Sequence, residues 1–415
     1  MLSRITTTYN EYPKTFWILM LASFIDRLGG SLLFPFFALY VTERFNVGMI
    51  QVGYLFAIFS ATSIVGGIFG GALTDKFGRR GMLLFGLVAS GLSTMLMGYI
   101  GSIAVFYNLA AIVGLLTNAG GPAQQAMIAD LLPEEKRTQG YALHRVIFNL
   151  AVTIGPAIGG LIAARSFFAL FVTDAIISLI VAAIVFVGIP ETKPALKEGE
   201  VEESVAQSIG GYRHVFADGL FMAFLFISII VTIVYVQMNS SLGVFLRDEH
   251  GISPLYYGYI LSLNAGMVVA FQFWITRRVK GWAPMVLMAV GTFLYAIGFG
   301  MYAFGSTFLW FAFAMVVITI GEMVLAPEGT ALVARFSPEN MRGRYMGLFG
   351  FTWGIAFAVG PLAAGLIIEN FDPRWVWYAS FILGAIGTLG YLVLHAATQK
   401  RFAVAPEPAG APAAH

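Results

Sequence analysis

An all-α integral membrane fold, with twelve transmembrane helices in two pseudo-symmetric six-helix bundles, is predicted by three features of this sequence. Apolar stretches long enough to cross about 30 Å of hydrocarbon recur from end to end. A polar insert near the middle leaves six of them on each side. A single offset of 205 residues lays one side on the other.

The stretches lie near 16–40, 50–72, 82–100, 103–129, 139–163 and 167–189, then near 218–246, 255–276, 283–303, 307–334, 342–368 and 374–396. Only 11% of the 415 residues are charged and 58% are hydrophobic. Soluble domains carry about 25% charged residues, so lipid is the solvent for nearly the whole chain. The first stretch is too long for the apolar core of a signal peptide and contains Asp26 and Arg27, so it reads as a span.

The insert Glu191 to His214 carries Glu198, Glu200, Glu202 and Glu203 with two prolines, the composition of a solvated linker. The expected partition is a first bundle at 1–190, a linker at 191–215, a second bundle at 216–398 and a disordered tail at 399–415. The 205-residue offset places Gly53-Tyr54 on Gly258-Tyr259, Pro133-Glu134 on Pro338-Glu339, and Arg137 on Arg342. It also places Gly155-Pro156 on Gly360-Pro361 and Gly160-Leu161-Ile162 on Gly365-Leu366-Ile367. One offset held across several spans means two copies of one six-helix unit.

Lys and Arg set the orientation. Loops on the N-terminal side hold Lys76, Arg79, Arg80, Lys136, Arg137, Arg277, Arg278 and Lys280 among others, whereas the opposite side holds only Arg44, Arg165, Arg247 and Arg374. Both termini are therefore expected in the cytoplasm, with the chain in the cell membrane.

Several function classes are excluded or disfavoured. The chain has no Cys, which removes disulfides, thiolate chemistry and Cys-ligated metals. A net charge of +2 gives no reason to expect nucleic acid. No GxxxxGK[ST] loop is present, and no nucleophile–base constellation supports an enzyme. No cofactor or metal is expected. The expected partners are a small-molecule substrate, protons and the bilayer, with the chain a monomer.

The motifs are more specific. Gly70-Gly71-Ala72-Leu73-Thr74-Asp75-Lys76-Phe77-Gly78-Arg79-Arg80, between spans two and three, closely resembles the cytoplasmic signature of the major facilitator superfamily. The resemblance implies a twelve-span transporter similar to bacterial proton-coupled drug antiporters. It makes Gly71, Asp75, Gly78, Arg79, Arg80 and Asp130 a gating motif. Within it, Asp75 would anchor at a neighbouring helix N-terminus and stabilise an outward-facing state against a helix of the second half, and Arg79 would pair with Asp130. The matching stretch of the second half, Trp274 to Lys280, keeps basic charge without the glycines or the acid, so an asymmetric gate is expected. Gly155, Pro156, Gly159 and Gly160 in span five resemble the family's antiporter signature. Their echo Gly360-Pro361 in span eleven marks part of the pattern as structural, since Pro kinks a helix and Gly permits close packing. Many family antiporters carry an Arg four residues before a Gly in span four. Here that place is Ala110, and Arg145 is the alternative buried cation.

Ionisable groups inside spans are functional candidates by default. Asp26 falls midway through span one and Glu322 midway through span ten. The resemblance puts both spans on a central cavity and makes Glu322 the proton-coupling site, with Asp26 second. The rival reading for Glu322 is a permanent pair with Arg145. Asp26 and Arg27 are neighbours, about 100° apart on a helix, so both are not expected to face the cavity squarely. Asp174 and Glu328 rank below them. Arg145, Asn149, Asn118, Gln124, Gln237, Asn239, Asn264 and Trp353 are the remaining cavity candidates, with Phe34, Phe37, Tyr235 and Phe349 as apolar lining. The function expected is proton-driven export of an amphiphilic or cationic small molecule. The alternative is a proton-coupled uptake symporter for a sugar, peptide or organic acid, with Arg145 on a substrate carboxylate.

Overall fold

The structure is a computed structural model that describes residues 11–117, 120–193, 212–338 and 341–402. Among the described residues, twelve helices are long and apolar enough to span a membrane. In chain order they are Lys14–Phe45, Met49–Gly67, Arg79–Tyr99, Ile103–Leu131, Gln139–Ala163 and Phe167–Gly188, then Gly219–Ser240, Pro254–Arg278, Pro284–Met301, Phe308–Phe336, Arg344–Asn370 and Trp375–Gln399. They are called spans one to twelve below. With no water in hydrocarbon to satisfy the backbone, each long apolar run closes its hydrogen bonds within a helix.

Packing repeats as the sequence does. In the first half, span one packs on spans five and six, span three on six, and span two on four. In the second half, span seven packs on eleven and twelve, nine on twelve, and eight on ten. The two bundles meet along two seams, span two against span eleven and span five against span eight. Each seam is the other's image under the repeat.

The residues that match across the 205-residue offset build these seams. A Cβ on Gly258 would lie 2.9 Å from the Pro156 carbonyl oxygen and 3.0 Å from the Gly160 Cα. Its repeat partner Gly53 lies against the Leu362 backbone, and Gly365, partner of Gly160, lies against Met49. Backbones approach this closely only where there is no side chain.

Two span boundaries differ from expectation. Span one runs on to Phe45 because Pro35 produces a 3-10 turn at Phe34–Phe36 and the helix then resumes at Phe37. The stretch expected at 218–246 divides, since span seven ends at Ser240 and a separate helix, Leu242–His250, follows. The linker and tail also differ in part. Residues 194–211 and 403–415 lie outside the described residues, but Glu191–Lys193 are seated against the first bundle, and the helix of span twelve continues to Phe402.

Spans one and seven start at the end of the molecule that carries the N-terminus and the linker, here termed the linker end. The far end is closed by contacts between the bundles. Arg247 donates to the Leu39 carbonyl at 3.3 Å and to the Thr42 hydroxyl at 3.1 Å. The Ile50 amide donates to Glu369 at 2.7 Å, and Phe36 meets Tyr257 edge-on.

Candidate functional site

Between the bundles lies a cavity of about 1110 Å³. Its walls come from Asp26, Arg27, Phe34, Phe56, Gln124 and Asn149 in the first half, and from Tyr235, Asn239, Glu322, Trp353 and Phe357 in the second, among others. Gly347 and Gly350, near the linker-end start of span eleven, also line it and are exposed. The cavity therefore reaches toward the linker end and stops below the closed far end.

Glu322 is the acid of the second-half wall. Tyr235 Oη donates to its Oε1 at 3.0 Å, and Asn264 Nδ2 donates to its Oε2 at 2.8 Å. Asn264 Nδ2 is also 3.0 Å from Thr319 Oγ1, one turn before Glu322 on span ten. Spans seven, eight and ten thus converge on one carboxyl group, and both of its partners are neutral. The pairing with Arg145 does not form. Arg145 is exposed and absent from the cavity wall. It shares a helical face with Phe148 and Asn149, one turn nearer the linker end.

From Glu322 an aromatic arc crosses the cavity roof. Tyr235 meets Trp353 edge-on with centroids 5.6 Å apart, and Trp353 stacks on Phe357 at 6.3 Å. Phe357 reaches Phe34 at 5.3 Å and Phe56 at 6.1 Å in the first half. Tyr235 also stacks on Tyr295 at 5.6 Å. The arc offers ring faces, which attract cations, beside a carboxyl group.

The first-half wall is built differently. Both Asp26 and Arg27 contribute to the cavity lining. The Arg27 guanidinium lies 3.9 Å from the centre of the Phe148 ring on span five, which holds it at the wall. Gln124 also lines the cavity and donates to Ser23 at 2.7 Å. Asp174 sits behind span one, 6% exposed and against Gly29.

The other candidates divide by helix phase. Asn149, Asn239 and Trp353 line the cavity. Gln237 does not. It is 4% exposed, donating to the Gly360 carbonyl at 3.0 Å and accepting from Ser241 at 2.6 Å, so it joins spans seven and eleven. Asn264 stands behind Glu322 and is not part of the wall. Asn118 lies outside the described residues.

The gating motif forms a compact charge cluster at the linker end. Arg79 Nε lies 3.3 Å from Asp130 Oδ2. Glu191, which the sequence assigned to the linker, accepts from the Arg79 amide at 2.9 Å and the Arg80 amide at 3.2 Å, so it caps the start of span three. Thr192 adds a contact to Asp130 at 3.3 Å. Burial pushes the Glu191 carboxyl up, but the amides of Lys193, Arg79, Thr192 and Arg80 outweigh it and hold the group below its ordinary value. Gly78 is required here twice. Its φ is +92°, and a Cβ would collide with the Glu191 carboxylate. The surroundings of Gly71 and the side chain of Asp75 lie outside what the structure describes. In span five, Gly155 and Gly159 pack on Ser31 and Leu32 of span one, while Pro156 and Gly160 form the seam with Gly258.

The second half has its own linker-end brace, which the sequence reading missed. Asp218 caps span seven through the Phe221 amide at 3.2 Å. Arg401, beyond span twelve, grips the same carboxylate with two bonds of 2.8 Å, and Tyr345 donates to it at 3.0 Å. An Asp directly before an apolar run is an N-cap signal in the sequence. Nothing in the sequence pointed to its partner Arg401.

The model of the Major Facilitator Superfamily matches residues 19–327 and 285–414. The chain belongs to this superfamily. Its members are membrane transporters, so the chain is a multi-pass transporter and not an enzyme. Among its relatives is a Na(+), Li(+), K(+)/H(+) antiporter of Planococcus maritimus, 24% identical over 92% of this chain and 95% of that one. Another is the class B tetracycline resistance protein of Escherichia coli, 22% identical over 87% of this chain and 90% of the other. A crystal structure of a mutant of the nucleoside transporter NupG superimposes with a TM-score of 0.78 at 12% identity, covering 92% of this chain and all of that one. At that identity the likeness is one of fold.

Proposed function

We propose that this facilitator exports an amphiphilic or cationic small molecule in exchange for protons, by alternating access. The observation that carries the reading is Glu322, a carboxyl group on the cavity wall whose bonded partners, Tyr235 and Asn264, are both neutral. A carboxylate without a fixed counter-cation has two ways to be neutralised, by a proton or by a cationic substrate. The two are mutually exclusive, and exclusion at one site is the minimal device for exchange. The ring faces of Tyr235, Trp353 and Phe357 suit the apolar and cationic parts of such a substrate. The cavity is of drug-ligand size.

In this reading the linker end is cytoplasmic, which the Lys and Arg distribution supports, and the structure is open to the cytoplasm. Cargo enters from the cytoplasm and competes with the Glu322 proton. The bundles then rock about the two seams. Asp26 lies on the opposite wall as a secondary proton site. The monomer is the transport unit, since the cavity and both seams are complete within one chain.

The test uses proteoliposomes with an acid lumen and a trapped pH-sensitive dye. The panel is lipophilic cations, tetracycline, Na⁺, Li⁺, K⁺, sugars and dipeptides. Proton release driven by a cation and lost in Glu322→Gln is the expected result. Proton movement in the same direction as a sugar or peptide sinks the export reading and favours uptake.

A further inference from the structure

At the far end, span eleven finishes at Ile368-Glu369-Asn370 and span two begins after Gly48. These two helices run antiparallel along one seam, so the last turn of one lies beside the first turn of the other. The Ile50 amide donates to Glu369 Oε1 at 2.7 Å, across 319 residues of sequence. An acid in the last turn of its own helix stands at the negative end of that helix dipole, an unfavourable place. The free amides at the start of span two are the opposite pole, and they offset it.

Span two is prepared for this visitor. Its N-cap is Gly48, which supplies no side-chain cap of its own. A Cβ on Gly48 would collide with the Glu369 carboxylate. One turn before Glu369, Gly365 lets span eleven rest directly on the Met49 and Ile50 backbone. Span two thus starts with no side-chain cap of its own and is capped at the Ile50 amide from the other helix.

We infer that Glu369 is a positioning residue for the transport cycle. It latches the far end shut by capping span two and lets go each time that end opens. The inference rests on the alternating-access reading, and it adds the element that sets the balance between the two states.

The chain has no Cys, so labels go only where they are placed. The experiment measures spin-label distances in the full chain in lipid nanodiscs, with one pair at Glu43→Cys and Glu249→Cys across the far end. A second pair, at Glu134→Cys and Arg342→Cys, crosses the linker end. Glu369→Ala, which removes the accepting oxygen, is expected to shift the ratio of far-end-closed to far-end-open molecules roughly fivefold toward open, the size of one lost helix cap. Far-end distances lengthen while linker-end distances shorten, an opposed movement that general loosening does not produce. Gly48→Ala leaves the charge in place and displaces the carboxylate, and it should give the same opposed shift. Unchanged distance distributions in both variants, in protein that remains folded, overturn the latch. A shift in both variants supports it even if the Glu322→Gln proton assay fails, because that assay tests the cargo and the coupling ion rather than the latch.

Discussion

The two halves are copies of one helical unit, yet they carry unequal chemistry. In the second half, Glu322 is held at the cavity wall by Tyr235 and Asn264, donors from two other spans, neither charged. In the first half, Asp26 has Arg27 as its neighbour, and that guanidinium is fixed over Phe148. A carboxylate with a cation as its sequence neighbour has part of its charge balanced at all times, whereas one among neutral donors is balanced only by a proton or a cationic ligand. The scaffold was duplicated and the surroundings of its buried acids were not.

The linker ends repeat the lesson. Both halves must satisfy bare helix starts there, and both use an acid, but from different places. The first half uses Glu191, from the end of span six, on the start of span three, next to the Arg79–Asp130 pair. The second half uses Asp218 on its own span seven, gripped by Arg401 from beyond span twelve. The missing glycines and acid at Trp274–Lys280 thus coincide with a brace built elsewhere.

The sharpest attack on this comparison exchanges the two acids. Glu322→Gln should lower coupled flux by about a hundredfold, the scale of losing an essential proton-transfer group, and Asp26→Asn by only about tenfold. Transport of labelled substrate driven by an imposed proton gradient in proteoliposomes measures both, and the reverse order of effects would break the asymmetry. Tyr235→Phe removes one bond to the carboxylate and should slow coupled flux up to about tenfold while leaving the protein folded. A Tyr235→Phe transporter with unaltered flux would mean that the hydroxyl only fills space.

The braces give smaller effects. Asp218→Ala should cost about 1–2 kcal/mol, for a cap and an ion pair discounted because Arg401 is one-third open to water. Burial pushes the Asp218 carboxyl up, but the bonds from Arg401, Phe221 and Tyr345 outweigh it and hold it below the ordinary aspartate value. The sign follows. Its contribution is intact above the ordinary carboxylate range and is lost as pH falls through the lowered folded value. Melting temperatures of wild type and Asp218→Ala in detergent should therefore differ at pH 7 and converge in strong acid. Glu191→Ala should cost less, about 0.5 kcal/mol, because that carboxylate is exposed. A larger loss at Glu191 than at Asp218 would show that the first-half brace is the stronger of the two.

The fold was legible because lipid leaves the backbone one solution, so the length of an apolar run is nearly the answer. Glu322 and Asp26 were legible for the same reason, as charges that hydrocarbon does not tolerate unless they serve a purpose. Gln237 and Arg145 show where the reading stopped. These spans are apolar on every face, because lipid and packed neighbours ask for the same residues, so periodicity does not say which face meets the cavity. Gln237 turned to Gly360, and Arg145 fell one turn beyond the wall. Arg401, Asp218 and Glu369 act through partners more than 100 residues away, and no local pattern announces such pairs.

The seams have a consequence for how such a chain diverges. The nearest atoms to Gly53, Gly258 and Gly365 belong to backbone. Every amino-acid replacement of a glycine adds at least a Cβ, so at these positions drift is closed in all directions. The rings at Phe34, Trp353 and Phe357 line the cavity and meet other rings rather than backbone, so exchange for other apolar groups asks less of their neighbours. A lineage built on this plan is free to change its cargo while its moving parts stand still.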